Sequence, residues 1–88
     1  MENLKDSERA LRVMSKNFKM LRLEKGLTIM QLSKLTGVNP VALREMEHSS
    51  GDFGVESFMT VCKFYGLMPS EIFHPIEEKK ADEKENDL

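Results

Sequence analysis

The stretch "NPVALREMEH", residues 39–48, mixes side chains that can read a nucleic acid with side chains that cannot. Asn39, Arg44 and His48 carry hydrogen-bond donors, and a bidentate contact from Arg or Asn to a base contributes roughly 1–3 kcal/mol of discrimination. Glu45 can accept a hydrogen bond from cytosine, but its charge repels phosphate. The remaining outward positions are Pro40, Val41 and Ala42. The two non-proline apolar residues can contact thymine methyl groups, so the stretch fits either a shape-dependent nucleic-acid contact or a protein contact.

Other kinds of chemistry have little support in the sequence. His48 and His74 lie far apart and have no cysteine at a ligand-like spacing, so no metal site is expected. Cys62 lies among apolar residues, and we expect a small core side chain rather than a redox sensor. Because no glycine-rich phosphate loop and no nucleophile with a neighbouring base is evident, we expect neither a cofactor nor an enzyme.

Length and composition favour one small domain. The chain has 88 residues, of which 40% are hydrophobic, and this is enough for one well-packed core. The single cysteine excludes an internal disulfide, and no stretch resembles a transmembrane helix or a secretory signal. We therefore expect a cytoplasmic protein without a membrane partner.

Charge is distributed unevenly along the chain, although the net charge is only −2. Residues 1–27 hold seven basic and four acidic side chains, a net charge of +3, while residues 77–88 have a net charge of −3. Phosphate binding depends on clustered Lys and Arg. The overall charge therefore counts against a nucleic-acid partner, while a local basic patch can still supply the charge.

The spacing of apolar residues predicts helices and no strand. In the first segment, apolar residues recur at steps of three and four, which predicts one long helix ending at Gly26. Its apolar face consists of Leu4, Leu11, Met14, Phe18 and Leu21. Thr28 and Gln31 are a capping-box pair for a second helix, which runs to about Thr36 and stops at Gly37.

Three further helices follow. Asn39 and Pro40 predict the cap and first turn of a third helix that runs to about His48. A fourth helix is predicted over roughly residues 55–65, and a short fifth helix over residues 69–73. The residues expected to face the core from the fourth helix are Phe58, Met59, Val61, Cys62 and Tyr65.

Four segments resemble the helix-turn-helix domain of the Cro/repressor family, also called the xenobiotic-response-element type. These segments are "LRLEKGLT", "QLSKLTGV", "LREME" and "FYGLMPSEIF". The resemblance implies an all-α, five-helix, lambda-repressor-like domain over residues 16–76. Residues 1–15 would extend the first helix, and residues 77–88 would form a charged tail.

In that family the third helix enters the DNA major groove, so the resemblance implies a sequence-specific, DNA-binding transcriptional regulator. The implied base-contact positions are Asn39, Pro40, Val41, Ala42, Arg44, Glu45 and His48. Thr28, Lys34 and Ser49 are expected to add contacts, together with backbone N–H groups at the starts of the second and third helices. Arg22 and Glu47 are expected to form a partly buried structural ion pair rather than to contact DNA.

Double-stranded DNA is thus the expected partner, bound by a homodimer. Two recognition helices placed one helical turn apart would match a near-palindromic operator. The candidate dimer surface contains Phe53, Met68 and Phe73.

A protein partner is the alternative. Ile29, Met30 and Val41 are expected to form an exposed apolar patch, which suits an antitoxin or anti-repressor-like interaction module.

A basic stripe runs along the first helix if that helix is continuous. Its members are Lys5, Arg9, Arg12, Lys16 and Lys19. Such a stripe can bind phosphate or an acidic partner, or it can be the solvated face of an ordinary amphipathic helix.

Overall fold

The first helix, α1, spans Asn3–Glu24 in a computed structural model that describes residues 3–48 and 51–76. Its apolar face packs inward because Met14 and Phe18 are four residues apart on one side of the helix, and both are fully buried. Met14 belongs to the buried core, although it lies within residues 1–15, the segment predicted to extend the first helix beyond the domain. The helix ends before Gly26, whose φ of 68° turns the chain away.

The second helix, α2 (Ile29–Thr36), begins at the predicted capping box. The Thr28 hydroxyl accepts from the backbone N–H of Gln31 at 3.1 Å, and the Gln31 side chain accepts from the backbone N–H of Thr28 at 2.9 Å. Gly37 ends the helix with a φ of 79°, a left-handed conformation that glycine adopts without steric penalty. The turn to the next helix is therefore sharp, as the sequence predicted.

The third helix, α3 (Pro40–Met46), is capped by Asn39, whose side-chain oxygen accepts from the backbone N–H of Val41 at 2.7 Å. It is shorter than predicted: Glu47 is its C-cap, and His48 lies in the following turn. The Ser33 hydroxyl of α2 donates to the Val38 carbonyl at 2.7 Å and so ties the two helices together across the turn.

The fourth helix, α4, covers Val55–Phe64. The predicted fifth helix is a 3-10 helix, Pro69–Phe73, rather than an α-helix. Proline at its first position and Pro75 shortly after it leave only five residues, a length typical of 3-10 segments. All regular structure in the described residues is helical, which confirms the all-α prediction for this part of the chain.

One core collects side chains from every element. Its buried apolar members are Met14, Phe18, Leu32, Val38, Leu43, Met46, Val61, Cys62 and Ile72. Met59 was predicted to join them, but it is exposed. The buried residues Val61 and Cys62, with half-buried Phe58, set the inward side of α4, and Met59 falls outside that arc. None of the helices in the described residues is both long and apolar enough to span a membrane.

Two buried polar side chains of α1 hold the ends of the later elements. The Asn17 amide donates to the carbonyls of Ile72 and His74, both at 2.8 Å. The Ser15 hydroxyl donates to the carbonyl of Met46 at 2.7 Å. The last carbonyls of a helix have no hydrogen-bond partner inside that helix. Here the buried side chains of α1 donate to them in place of water.

The Asn17 contacts make a prediction about stability. Asn17→Ala leaves the carbonyls of Ile72 and His74 without their donor, and we expect the free energy of unfolding to fall by about 1–3 kcal/mol in urea denaturation. Lys16→Ala, at the adjacent exposed position, is the matched control and should change it by less than about 0.5 kcal/mol. Equal stability of the two variants would contradict this role.

Candidate nucleic-acid interface

An ion pair between α1 and the end of α3 sets the position of α3. Arg22 Nε donates to Glu47 Oε2 at 2.8 Å, and Arg22 Nη2 donates to Glu47 Oε1 at 2.9 Å. The third guanidinium nitrogen, Nη1, donates to the carbonyl of Leu27 at 2.8 Å. This bidentate geometry with a satisfied third nitrogen is the strong form of the arginine–carboxylate contact, and it joins the predicted pair.

The pair is shielded from water. The side chains of Arg22 and Glu47 are only 12% and 6% exposed. The hydrogen bond to Glu47 raises the pKa of the Arg22 guanidinium above its usual value, although burial acts in the opposite direction. Arg22 is therefore committed inside the protein, and its charge is not available to a phosphate outside.

Tyr65 packs beneath the ion pair. Its hydroxyl is buried and has no hydrogen-bond partner among the described residues. The gap that Tyr65 and Glu47 line together with Phe18 and Leu43 is too narrow to hold a water molecule. Burial raises the pKa of the Tyr65 phenol, and the negative charge of Glu47 adds to this effect. The ring therefore stays neutral and serves as an apolar support.

Cys62 is also part of the interior. Its thiol is buried in the core, and burial raises the pKa of the thiol to about 11. A protonated, enclosed thiol is a poor nucleophile, so Cys62 packs as a small apolar side chain.

Most of the predicted polar contact residues lie on the outer surface. The exposed members are Thr28, Lys34, Asn39, Arg44 and His48. Pro40 and Glu45 are half-buried, and Val41 is 59% exposed. The structure thus brings the outer side of α3 and the first turns of α2 to the surface. Ser49 lies outside the described residues.

Two further residues expected to point outward are half-buried, as Pro40 and Glu45 are. Ala42 and Ile29 pack against the core. The reason is that α3 and α2 are short and lie close together, so their flanks are covered as well as their inner faces. The proposed apolar patch is therefore reduced to Met30, which is 52% exposed, and Val41.

Several hydrogen-bonding groups at this surface are already used within the protein. The side-chain oxygen of Asn39 caps α3, so a bidentate contact to adenine is not available while the cap is intact and only the amide NH₂ is free. The His48 Nδ1–H donates to the carbonyl of Arg44 at 2.6 Å, which leaves Nε2 for an outside partner. Among Asn39, Arg44 and His48, Arg44 is the strong donor whose side chain makes no hydrogen bond to a described residue.

The caps also take up backbone N–H groups expected to hold phosphates. The side-chain caps occupy the N–H groups of Thr28, Gln31 and Val41, and Pro40 has none. Few N–H groups at the two helix starts are left to bind an anion.

The expected dimer surface is altered as well. The ring centroids of Phe53 and Phe73 each lie 5.8 Å from that of Phe58, and both rings pack against the core. These rings are engaged within one chain because α4 and the 3-10 helix meet there. Of the three predicted residues only Met68 is strongly exposed, at 64%.

Ser15 and Asn17 are the functional positions that sequence reasoning did not single out. Their signal was weak but present: both are short polar residues that flank Met14 and Phe18 on the apolar side of α1. A polar side chain at the edge of an apolar stripe often carries a hydrogen bond to a neighbouring element.

Metal ligation has no candidate at this surface. The part of the chain that the structure describes holds no group of three or more His, Cys, Asp or Glu side chains that could ligate an ion.

Comparisons with protein-family models, curated proteins and solved structures found no match to this chain. The roles of these residues therefore rest on their own geometry and chemistry.

The Arg22–Glu47 pair makes a second prediction, which a double-mutant cycle tests. Arg22→Met leaves a nearly buried carboxylate unpaired, and we expect the free energy of unfolding to fall by about 3 kcal/mol. Adding Glu47→Leu removes that stranded charge and should recover a large part of the loss, giving a clearly non-additive cycle in urea denaturation.

Arg12→Met is the matched control, because Arg12 is an exposed arginine on the same helix. It should change stability by less than about 0.5 kcal/mol. Additive effects of the two substitutions in the cycle would show that the pair contributes no coupling, against this account.

Proposed function

We propose that this chain is a sequence-specific, double-stranded DNA-binding transcriptional regulator, a lambda-repressor-like helix-turn-helix protein of the Cro/repressor type. The observation that carries the proposal is the arrangement of α3. Ser15 and Arg22 hold its C-terminal end, while Arg44 and Val41 on its outer side remain exposed. A short helix that is fixed from behind and open in front suits insertion into a major groove.

Base reading in this proposal depends on few polar contacts. Arg44 is the candidate for a bidentate contact to guanine, with the Asn39 amide NH₂ as a single donor and His48 Nε2 as a single acceptor. Val41 would contact thymine methyl groups. Such a set favours recognition by groove shape over a dense hydrogen-bond code.

Phosphate contacts position the helix. Lys34 and Thr28 are exposed beside the turn and are the candidates for backbone contacts on the α2 side. The protein would act in the cytoplasm as a homodimer on a near-palindromic site, since one short helix buries little surface on DNA. Exposed apolar side chains of α4 and the following turn, including Val55 and Met68, are the available dimer surface.

The second candidate function is a protein-interaction module of the antitoxin or anti-repressor-like kind. The observation that favours it is the exposure of Met30 and Val41, two apolar side chains on the helices that would otherwise face DNA. Half-buried Ile29 and Ala42 make this patch smaller than the sequence predicted. A partner protein of this kind would bind with little dependence on salt, which separates the two functions.

Arg44→Ala tests the DNA proposal. In binding to mixed genomic DNA fragments, we expect the wild-type affinity to fall steeply as salt rises, because released counterions drive the contact. The variant should lose about 1–3 kcal/mol of binding free energy at its preferred site without a change in melting temperature, since the side chain is exposed. Lys63→Ala, an exposed cation on α4, is the matched control.

Two results would contradict the proposal. One is no detectable binding of the wild type at about 50 mM salt. The other is equal DNA affinity for the Arg44 and Lys63 variants, which would leave α3 without a role in recognition.

A further inference from the structure

We infer that the outer face of α1 is a second DNA-binding surface, which contacts the phosphate backbone of a duplex without reading bases. The residues that form it are Arg9, Arg12, Lys16 and Lys19, named here the α1 basic face. This surface does not depend on base recognition by α3.

The continuous helix brings the four cations together. Their steps of three, four and three residues place them on one side of α1, and all four are exposed. Met14 and Phe18 mark the opposite side, which is buried in the core. With a rise of 1.5 Å per residue, Arg9 and Lys19 lie about 15 Å apart along the helix axis. Lys5 continues the same series in sequence, although its side chain lies outside the described residues.

The four cations of this face form no salt bridge within the described part of the chain, although the exposed Glu8 lies four residues before Arg12 at the edge of the same face. The salt bridge found among the described residues is the one between Arg22 and Glu47, and none of the four cations of the α1 basic face takes part in it. Residues 1–27 carry a net charge of +3 in a chain whose net charge is −2. That count includes Arg22, whose charge is paired with Glu47 and does not belong to this face. An anionic partner would bind the four cations of the face without breaking a salt bridge of the described residues.

The surrounding residues favour nucleic acid over other anionic partners. Protein interfaces have an apolar centre. Beside this face the exposed large apolar side chain of α1 is Leu23, which lies near the C-terminal end of the helix rather than among the cations. A membrane surface would need the apolar side of this same helix, and Met14 and Phe18 of that side are occupied in the core. A duplex carries a regular row of phosphates along each strand, which a face about 15 Å long can contact at more than one point.

The face begins next to the anchor of α3. Lys19 follows Ser15 by four residues and precedes Arg22 by three, so among the four cations it lies nearest to the two residues that hold the end of α3. From Lys19 the face continues along α1 toward Arg9, at the N-terminal end of the helix. The phosphate contacts are thus added at one edge of the proposed interface, on an element that carries no base-reading residue.

A salt titration with charge-matched variants tests this inference. The protein is the full chain, and the probe is a mixed-sequence duplex of about 20 base pairs, long enough for both surfaces. We expect Arg12→Gln combined with Lys16→Gln to lower the slope of log affinity against log salt by about 1.8, or 0.9 for each lost phosphate contact. Lys25→Gln combined with Lys63→Gln removes the same charge from exposed positions elsewhere and should leave the slope nearly unchanged.

The outcomes separate this inference from the proposed role of α3. If the double variant of the α1 basic face has the same slope as its control, the inference is overturned, whatever Arg44→Ala does. If it loses slope while Arg44→Ala binds like the wild type, the inference stands and the role of α3 fails. A polyglutamate probe tests the alternative that the face binds acidic proteins. If the α1 basic face binds polyglutamate more tightly than the duplex, it is a site for acidic proteins, and the inference is overturned.

Discussion

The contact between Arg22 and Glu47 is the interaction on which the arrangement of this protein depends. It joins the end of α1 to the end of α3 through two charged hydrogen bonds in a setting that water barely reaches. With Ser15 holding the carbonyl of Met46, it fixes a helix of only seven residues that could not be stable alone. The stability that the pair contributes and the position of α3 therefore depend on residues of α1 as much as on residues of α3.

Fixing α3 from behind determines what its front can do. The caps and turns that define α2 and α3 consume the Asn39 oxygen, one nitrogen of His48 and several backbone N–H groups. On the outer side of α3, the same local bonds leave Arg44 as the strong side-chain donor that no described residue engages. A surface of that kind favours binding by shape and charge, which is consistent with cations concentrated on α1 rather than on α3.

Local signals made the helix boundaries predictable, and distant contacts made the rest unpredictable. The Thr28 and Gln31 caps, the Gly37 turn and the Asn39 cap each depend on residues within a few positions of one another, so the sequence reveals them directly. Ser15 and Asn17 bond to carbonyls 31 and 55 residues further along the chain, and no local pattern predicts those partners.

The candidate site was predicted less completely than the helices. The start of α3 at Pro40 was predicted, but the helix ends at Met46 rather than near His48, and the burial of Ala42 and Ile29 depends on how closely α2 and α3 approach. The inward packing of Phe53 likewise depends on its contact with the Phe58 ring of α4, which lies beyond the loop that holds Phe53.

The most direct test of the central claim is NMR of the full chain during titration with a mixed-sequence DNA duplex. If α3 is held by α1 and open on its outer side, the largest backbone amide shifts will fall on α3 around Val41 and Arg44. The Nε–H signal of Arg22 will remain slow to exchange in the complex, because its bond to Glu47 persists. Shifts that avoid α3 altogether, or loss of the protected Arg22 signal on binding, would contradict the claim.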